Sequence, residues 1–167
     1  VFWLHIPIRI SGDPQQTIAV ADTSLRKVLR KGTSRKIEES GRVFKSILII
    51  DDDAMNLNLH QTIFGTAGYT VYTAKSGTEG LDMVWQTSPD VILMDLAMPG
   101  MDGFEVTQQL KRDPRTAGIP IIACSAFATR EFQQKAIDMG CVGYITKPIN
   151  PERLVAQVAK MLSTARV

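Results

Sequence analysis

From Ser46 onward the chain alternates short apolar runs with amphipathic segments of helical period, and this alternation is the strongest constraint on its fold. Strands are expected at 47–50, 69–74, 91–94, 121–125 and 143–146. Helices are expected between them at about 54–66, 76–87, 103–111 and 129–139, with a last one at about 151–163. Three of the strands are almost purely apolar, as strands covered on both faces should be. Such a βαβ pattern predicts an α/β domain, an open five-stranded parallel sheet with right-handed crossovers and helices on both faces. Single residues support the boundaries. Gly68 follows the first helix, Ser76 and Asn150 stand at N-cap positions, and Pro151 opens the last helix.

Composition narrows the alternatives. At 167 residues, 44% hydrophobic and 22% charged, the chain can bury one full core and carry an appendage. Gly 12 and Pro 8 are ordinary counts, which excludes collagen-like and low-complexity classes. The longest apolar stretches fall far short of the roughly 20 residues a bilayer demands. Cys124 and Cys141 cannot make a disulfide framework, and no secretory leader precedes them, so a cytoplasmic setting with reduced thiols is expected. The opening Val1 in place of Met predicts that the chain continues a longer one. Charge divides it: residues 1–45 hold nine Lys/Arg against four acids, and residues 46–167 hold ten against thirteen.

In a sheet of this kind, polar residues at the carboxyl ends of the strands converge on one crevice. Here they are Asp51, Asp52, Asp53, Asp95, Ser125 and Lys147. Crowded carboxylates repel one another and their pKa values rise unless a cation is present. A hard divalent ion suits them, because Mg²⁺ takes oxygen ligands and commonly uses one or two carboxylates. A single Asp after a strand is as readily a helix cap. Polar residues at several strand ends together are harder to explain in that way.

These residues resemble the receiver domain of two-component response regulators over about residues 45–165. The likeness rests on Ile47-Leu48-Ile49-Ile50-Asp51-Asp52, on Asp95-Leu96-Ala97-Met98-Pro99-Gly100-Met101-Asp102-Gly103, on Ser125-Ala126 and on Tyr144-Ile145-Thr146-Lys147-Pro148, in family order. The resemblance implies a flavodoxin-like doubly wound sheet of order 2-1-3-4-5. It implies Asp95 as phosphoacceptor, attacking the phosphorus of a donor's phosphohistidine. It implies Mg²⁺ held by Asp51, Asp52, Asp95 and the backbone carbonyl of Ala97. Lys147, joined to the following Pro148 by a cis bond, would pair with Asp95 and then with the phosphoryl group. Ser125 and Tyr144 would form the hydroxyl and aromatic halves of a conformational switch. Ala97 and Ala126 fall where the family tunes acyl-phosphate lifetime.

Asp53 lies outside the family's pair and is read as a helix cap. Cys124 and Cys141 read as small core residues, and His60 and His5 show no metal-ligand spacing or phosphotransfer context. Two other classes share part of this pattern. A haloacid-dehalogenase-type phosphatase shares Asp-x-Asp, a Ser and a Lys, but needs an acidic pair after the lysine, where only Glu152 follows. A receiver-like interaction module that is never phosphorylated would lack one of the acids or the lysine, and all are present.

The domain division expected is an extension or linker at 1–45 and a receiver at 46–167. Phe2-Trp3-Leu4-His5-Ile6-Pro7-Ile8 resembles the last strand of a histidine-kinase ATP-binding domain, followed by a basic linker at 25–31. That order implies a hybrid sensor histidine kinase as parent, membrane-anchored in some cases. The kinase's own histidine and nucleotide-binding glycines are not in this sequence, so no ATP-dependent kinase activity is expected. The partners implied are the histidine kinase core and a histidine phosphotransfer protein. No nucleic-acid or membrane contact is expected.

Overall fold

The computed structural model describes Phe44 and residues 46–165. The kinase-like strand at 2–8 and the basic linker at 25–31 lie outside the described residues. Five strands, β1 (Ser46–Ile50), β2 (Thr70–Ala74), β3 (Val91–Asp95), β4 (Ile121–Ser125) and β5 (Gly143–Thr146), alternate with five helices. The helices are α1 (Ala54–Thr66), α2 (Gly77–Thr87), α3 (Gly103–Arg112), α4 (Arg130–Asp138) and α5 (Pro151–Thr164). The sheet is parallel throughout in the order β2-β1-β3-β4-β5.

Each helix begins on a side chain that accepts a backbone N–H its first turn would otherwise leave unpaired. Asp53 accepts from Met55 at 2.7 Å, Ser76 from Glu79 at 3.2 Å and Asn150 from Glu152 at 3.0 Å. Thr129 accepts from Phe132 at 3.4 Å. Asp102 and Glu105 form a reciprocal capping box at 2.9 and 3.1 Å. Ser76 and Thr129 are therefore caps, so α2 and α4 each start one residue after the expected position. The second strand also starts later than expected. Tyr69 is turned aside, its N–H on the Phe64 carbonyl and its ring edge-on to Phe64 at 5.5 Å.

Successive side chains of a strand point to opposite faces, and the core divides accordingly. Leu48, Ile50, Ile92, Met94, Ile121 and Ala123 pack with Val84 of α2, Val106 and Leu110 of α3 and Ala136 of α4. Ile47, Ile49, Val91, Leu93, Ile122 and Cys124 pack with Leu57, Ile63 and Phe64 of α1 and Leu154, Val158 and Leu162 of α5. Cys124 and Cys141 are buried free thiols, in line with the sequence reading. Burial pushes their thiols up, to about 12 and about 11. The α3 start is pressed onto the end of β3: a Cβ at Gly103 would overlap the Asp95 carbonyl oxygen.

Candidate functional site

The parallel sheet carries the polar ends of β1, β3, β4 and β5 to one edge. Asp51 follows β1 and is 2% exposed, Asp95 closes β3 at 5%, and Ser125 closes β4 fully buried. Lys147 follows β5 and is held at its backbone, where its N–H donates to the Ser125 carbonyl at 2.8 Å. Its peptide bond to Pro148 is cis.

From there the Lys147 ammonium donates to Asp95 Oδ2 at 2.5 Å and to Asp51 Oδ2 at 2.9 Å. Burial alone would depress its pKa. The hydrogen bonds and charges of Asp51 and Asp95 outweigh that and raise it, so the ammonium stays charged. The other oxygens are anchored by backbone: Asp95 Oδ1 accepts from Ala97 N–H and Asp51 Oδ1 from Asp53 N–H, both at 2.9 Å.

Asp52 is exposed beside this pair. One carboxylate oxygen from each of Asp51, Asp52 and Asp95 lies within 4.8 Å of the others. Three hard oxygen donors with one ammonium form an anionic centre, the donor set that a divalent cation such as Mg²⁺ prefers. Ala97 lies on the β3–α3 loop beside them. Asp53 is the N-cap of α1 and no part of this cluster.

Ser125 and Tyr144 both grip Phe127. Ser125 Oγ accepts the Phe127 N–H at 3.3 Å, while Tyr144 donates its hydroxyl to the Phe127 carbonyl at 2.6 Å. The Phe127 ring stacks on Phe132 at 4.7 Å, and Phe132 in turn meets Phe104 at 6.2 Å.

Two residues of α1 that the sequence reading did not place in the site belong to its surroundings. Asn56 Nδ2 donates to both oxygens of Asp51, at 3.2 Å each. His60 is buried, its Nδ1 without a hydrogen-bond partner. Burial lowers its pKa; the charges of Asp51 and Asp95 raise it and that of Lys147 lowers it, with a net lowering. A groove of about 450 Å³ runs alongside, lined by Asn56, Leu59, His60, Ala126, Lys147, Pro148 and Ile149. The signal for these positions was helical spacing, since residues 56 and 60 lie on one face.

A doubly wound α/β sheet with an acidic crevice and a lysine at its strand ends is the architecture of signalling receiver domains. The chain belongs to that family: the pattern of the response regulator receiver domain matches residues 47–159. The polar-differentiation response regulator DivK of Brucella ovis is 36% identical over 121 residues, spanning 72% of this chain and 98% of that protein. Among solved structures, chemotaxis protein CheY4 of Vibrio cholerae superposes with a TM-score of 0.68 at 28% identity, over 71% of this chain and 99% of that one. The signal receiver domain of a signal transduction histidine kinase from Syntrophus aciditrophicus gives 0.65 at 28%, over 73% and 92%. Receiver domains typically bind Mg²⁺ at an acidic pocket, and they interact with histidine kinases and phosphotransfer proteins. No helix among the described residues is long and apolar enough to cross a membrane.

Proposed function

We propose that this receiver takes a phosphoryl group from a phosphohistidine onto Asp95. The observation that carries the reading is the Asp95 carboxylate itself, buried, held by Ala97 N–H on one oxygen and Lys147 on the other. An oxygen of Asp95 attacks phosphorus as the P–N bond breaks. The leaving imidazole nitrogen takes a proton, and an acyl phosphate results. Positioning and charge neutralisation supply most of such a transfer. Lys147, already a shared partner of Asp95 and Asp51, turns its ammonium to the phosphoryl oxygens. Asp51, Asp52, Asp95 and the Ala97 carbonyl would hold Mg²⁺, which neutralises charge on the phosphoryl oxygens when bound.

Ser125 then gives up the Phe127 N–H to hydrogen-bond the phosphoryl group, and Tyr144 follows the loop, a two-state change. The domain is residues 46–167, and residues 1–45 are an extension from the kinase core of a hybrid histidine kinase. Its similarity to a histidine kinase's own receiver supports that origin. The group passes on to a histidine phosphotransfer protein in the cytoplasm, docked over Asp95 and α1.

Intact-mass measurement after incubation with Mg²⁺ and acetyl phosphate tests the reading. One base-labile phosphoryl adduct on the wild type, absent from Asp95→Asn, is the expected result. No wild-type adduct with Mg²⁺ binding intact overturns it in favour of a non-phosphorylated interaction module.

A further inference from the structure

The start of α1 is organised around Asp51 in an uncommon way. At the third position of a helix, Glu or Gln commonly reaches back to the N-cap N–H and closes a capping box. Here that N–H, of Asp53, donates to Asp51 Oδ1 instead. The third residue, Asn56, turns its side chain to the same carboxylate and spans both oxygens at 3.2 Å. Asp51 thus receives Asp53 N–H and Asn56 on Oδ1, and Asn56 and Lys147 on Oδ2.

We propose that Asn56 is a positioning residue of the cation site: it fixes the plane of the Asp51 carboxylate against the pull of Lys147 while leaving its charge intact. This rests on the reading of Asp51, Asp52 and Asp95 as a Mg²⁺ site. The chemistry follows from the amide. A Lys or Arg at this place would orient Asp51 equally well but would add a positive charge beside the three carboxylates. An amide donor orients and adds none. Without it, Asp51 keeps only Asp53 N–H and Lys147, and the carboxylate is free to rotate toward the ammonium. Partners that orient a ligand in this way typically contribute tenfold or more to metal affinity.

The test is Mg²⁺ binding by calorimetry to the wild type, Asp52→Ala and Asn56→Leu, a change that removes the donor and keeps the volume. Asn56 is only partly buried in the first turn of a surface helix, so the fold should survive. Asn56→Leu should weaken Mg²⁺ binding roughly tenfold. With acetyl phosphate, the Mg²⁺ concentration for half-maximal adduct formation should rise equally, while the rate at saturating Mg²⁺ stays within about twofold. A merely structural Asn56 would shift the melting temperature and leave the Mg²⁺ dependence unmoved. Equal Mg²⁺ affinity for wild type and Asn56→Leu overturns the inference and leaves the receiver reading standing. Absence of Mg²⁺ binding by the wild type overturns both. Should Asn56→Leu not fold, the side-chain amide resonances of Asn56 in the wild type decide: they shift as Mg²⁺ saturates the site, and unmoved resonances overturn the proposal.

Discussion

Asp51, Asp52 and Asp95 crowd three carboxylates against the single ammonium of Lys147, so the ion-free site carries unrelieved repulsion. Asp52 is the exposed member with the least compensation, and its neutralisation relieves the site without leaving a buried charge orphaned. Asp52→Asn should therefore raise ion-free stability by about 1 kcal/mol or less, as exposed charges do, and should abolish the stabilisation that added Mg²⁺ gives the wild type. Paired thermal melts with and without Mg²⁺ check both halves. A variant that keeps the Mg²⁺ response would remove Asp52 from the ligand set. At this scale the acids and the lysine were legible because each lies at the end of an expected strand or within two residues after it. Asn56 was not, because its partner lies five residues back and the bond depends on how the β1–α1 turn folds.

Elements are joined here by close approaches that particular glycines permit. At Gly103 the capping box of α3 is drawn against the carbonyl of Asp95, with Gly103 N–H on the Leu96 carbonyl at 3.3 Å. Backbone on both sides cannot yield to a methyl group. Gly103→Ala should cost about 2 kcal/mol or more by overpacking. Gly100, nearby, has φ +78° and open space around its Cβ position, so Gly100→Ala should cost only the left-handed backbone strain of about 1–2 kcal/mol. Urea unfolding of the two variants measures the contrast, and Gly103→Ala should also slow acetyl-phosphate labelling because the displaced carbonyl belongs to Asp95. Helix and strand boundaries were read to within a residue or so wherever caps were short polar side chains. Ser76 caps its helix as its position implied; the departures were Thr129, which is a cap and not the first helical residue, and Tyr69, which packs on Phe64 before β2 begins.

Over the whole molecule, buried titratable groups set a pH window for stability. His60 has a lowered folded pKa, so below its ordinary 6.5 the unfolded chain takes up a proton that the folded one resists. Stability is lost as pH falls below that value. Cys124 and Cys141 have raised folded values, so their contribution is complete below the ordinary 9.0 and lost as pH rises toward about 11 to 12. Lys147, also raised, adds stability that is complete below 10.5 and lost as pH climbs through its folded value. Unfolding free energies should plateau between about 6.5 and 9 and fall on both sides. In His60→Gln the decline that begins near 6.5 should disappear. A wild-type profile flat down to pH 5 would contradict this account of His60, which Asp51, Asp95 and Lys147 face across the site.

Local pattern alone determined the α/β class, the five strands and five helices and the side of the sheet on which polar residues gather, and the family was legible through the resemblance of the strand-end motifs. Those properties are written in periodicity, caps and strand-end residues, all of which act over a few positions. Tertiary structure alone decided that Lys147, expected on Asp95, also reaches Asp51, that Asn56 braces Asp51, that His60 is buried beside them, and that Ser125 and Tyr144 hold the same residue, Phe127. The physical reason is distance along the chain. Lys147 meets acids 52 and 96 residues away, and contacts of that separation exist only once the sheet has set the order of its strands.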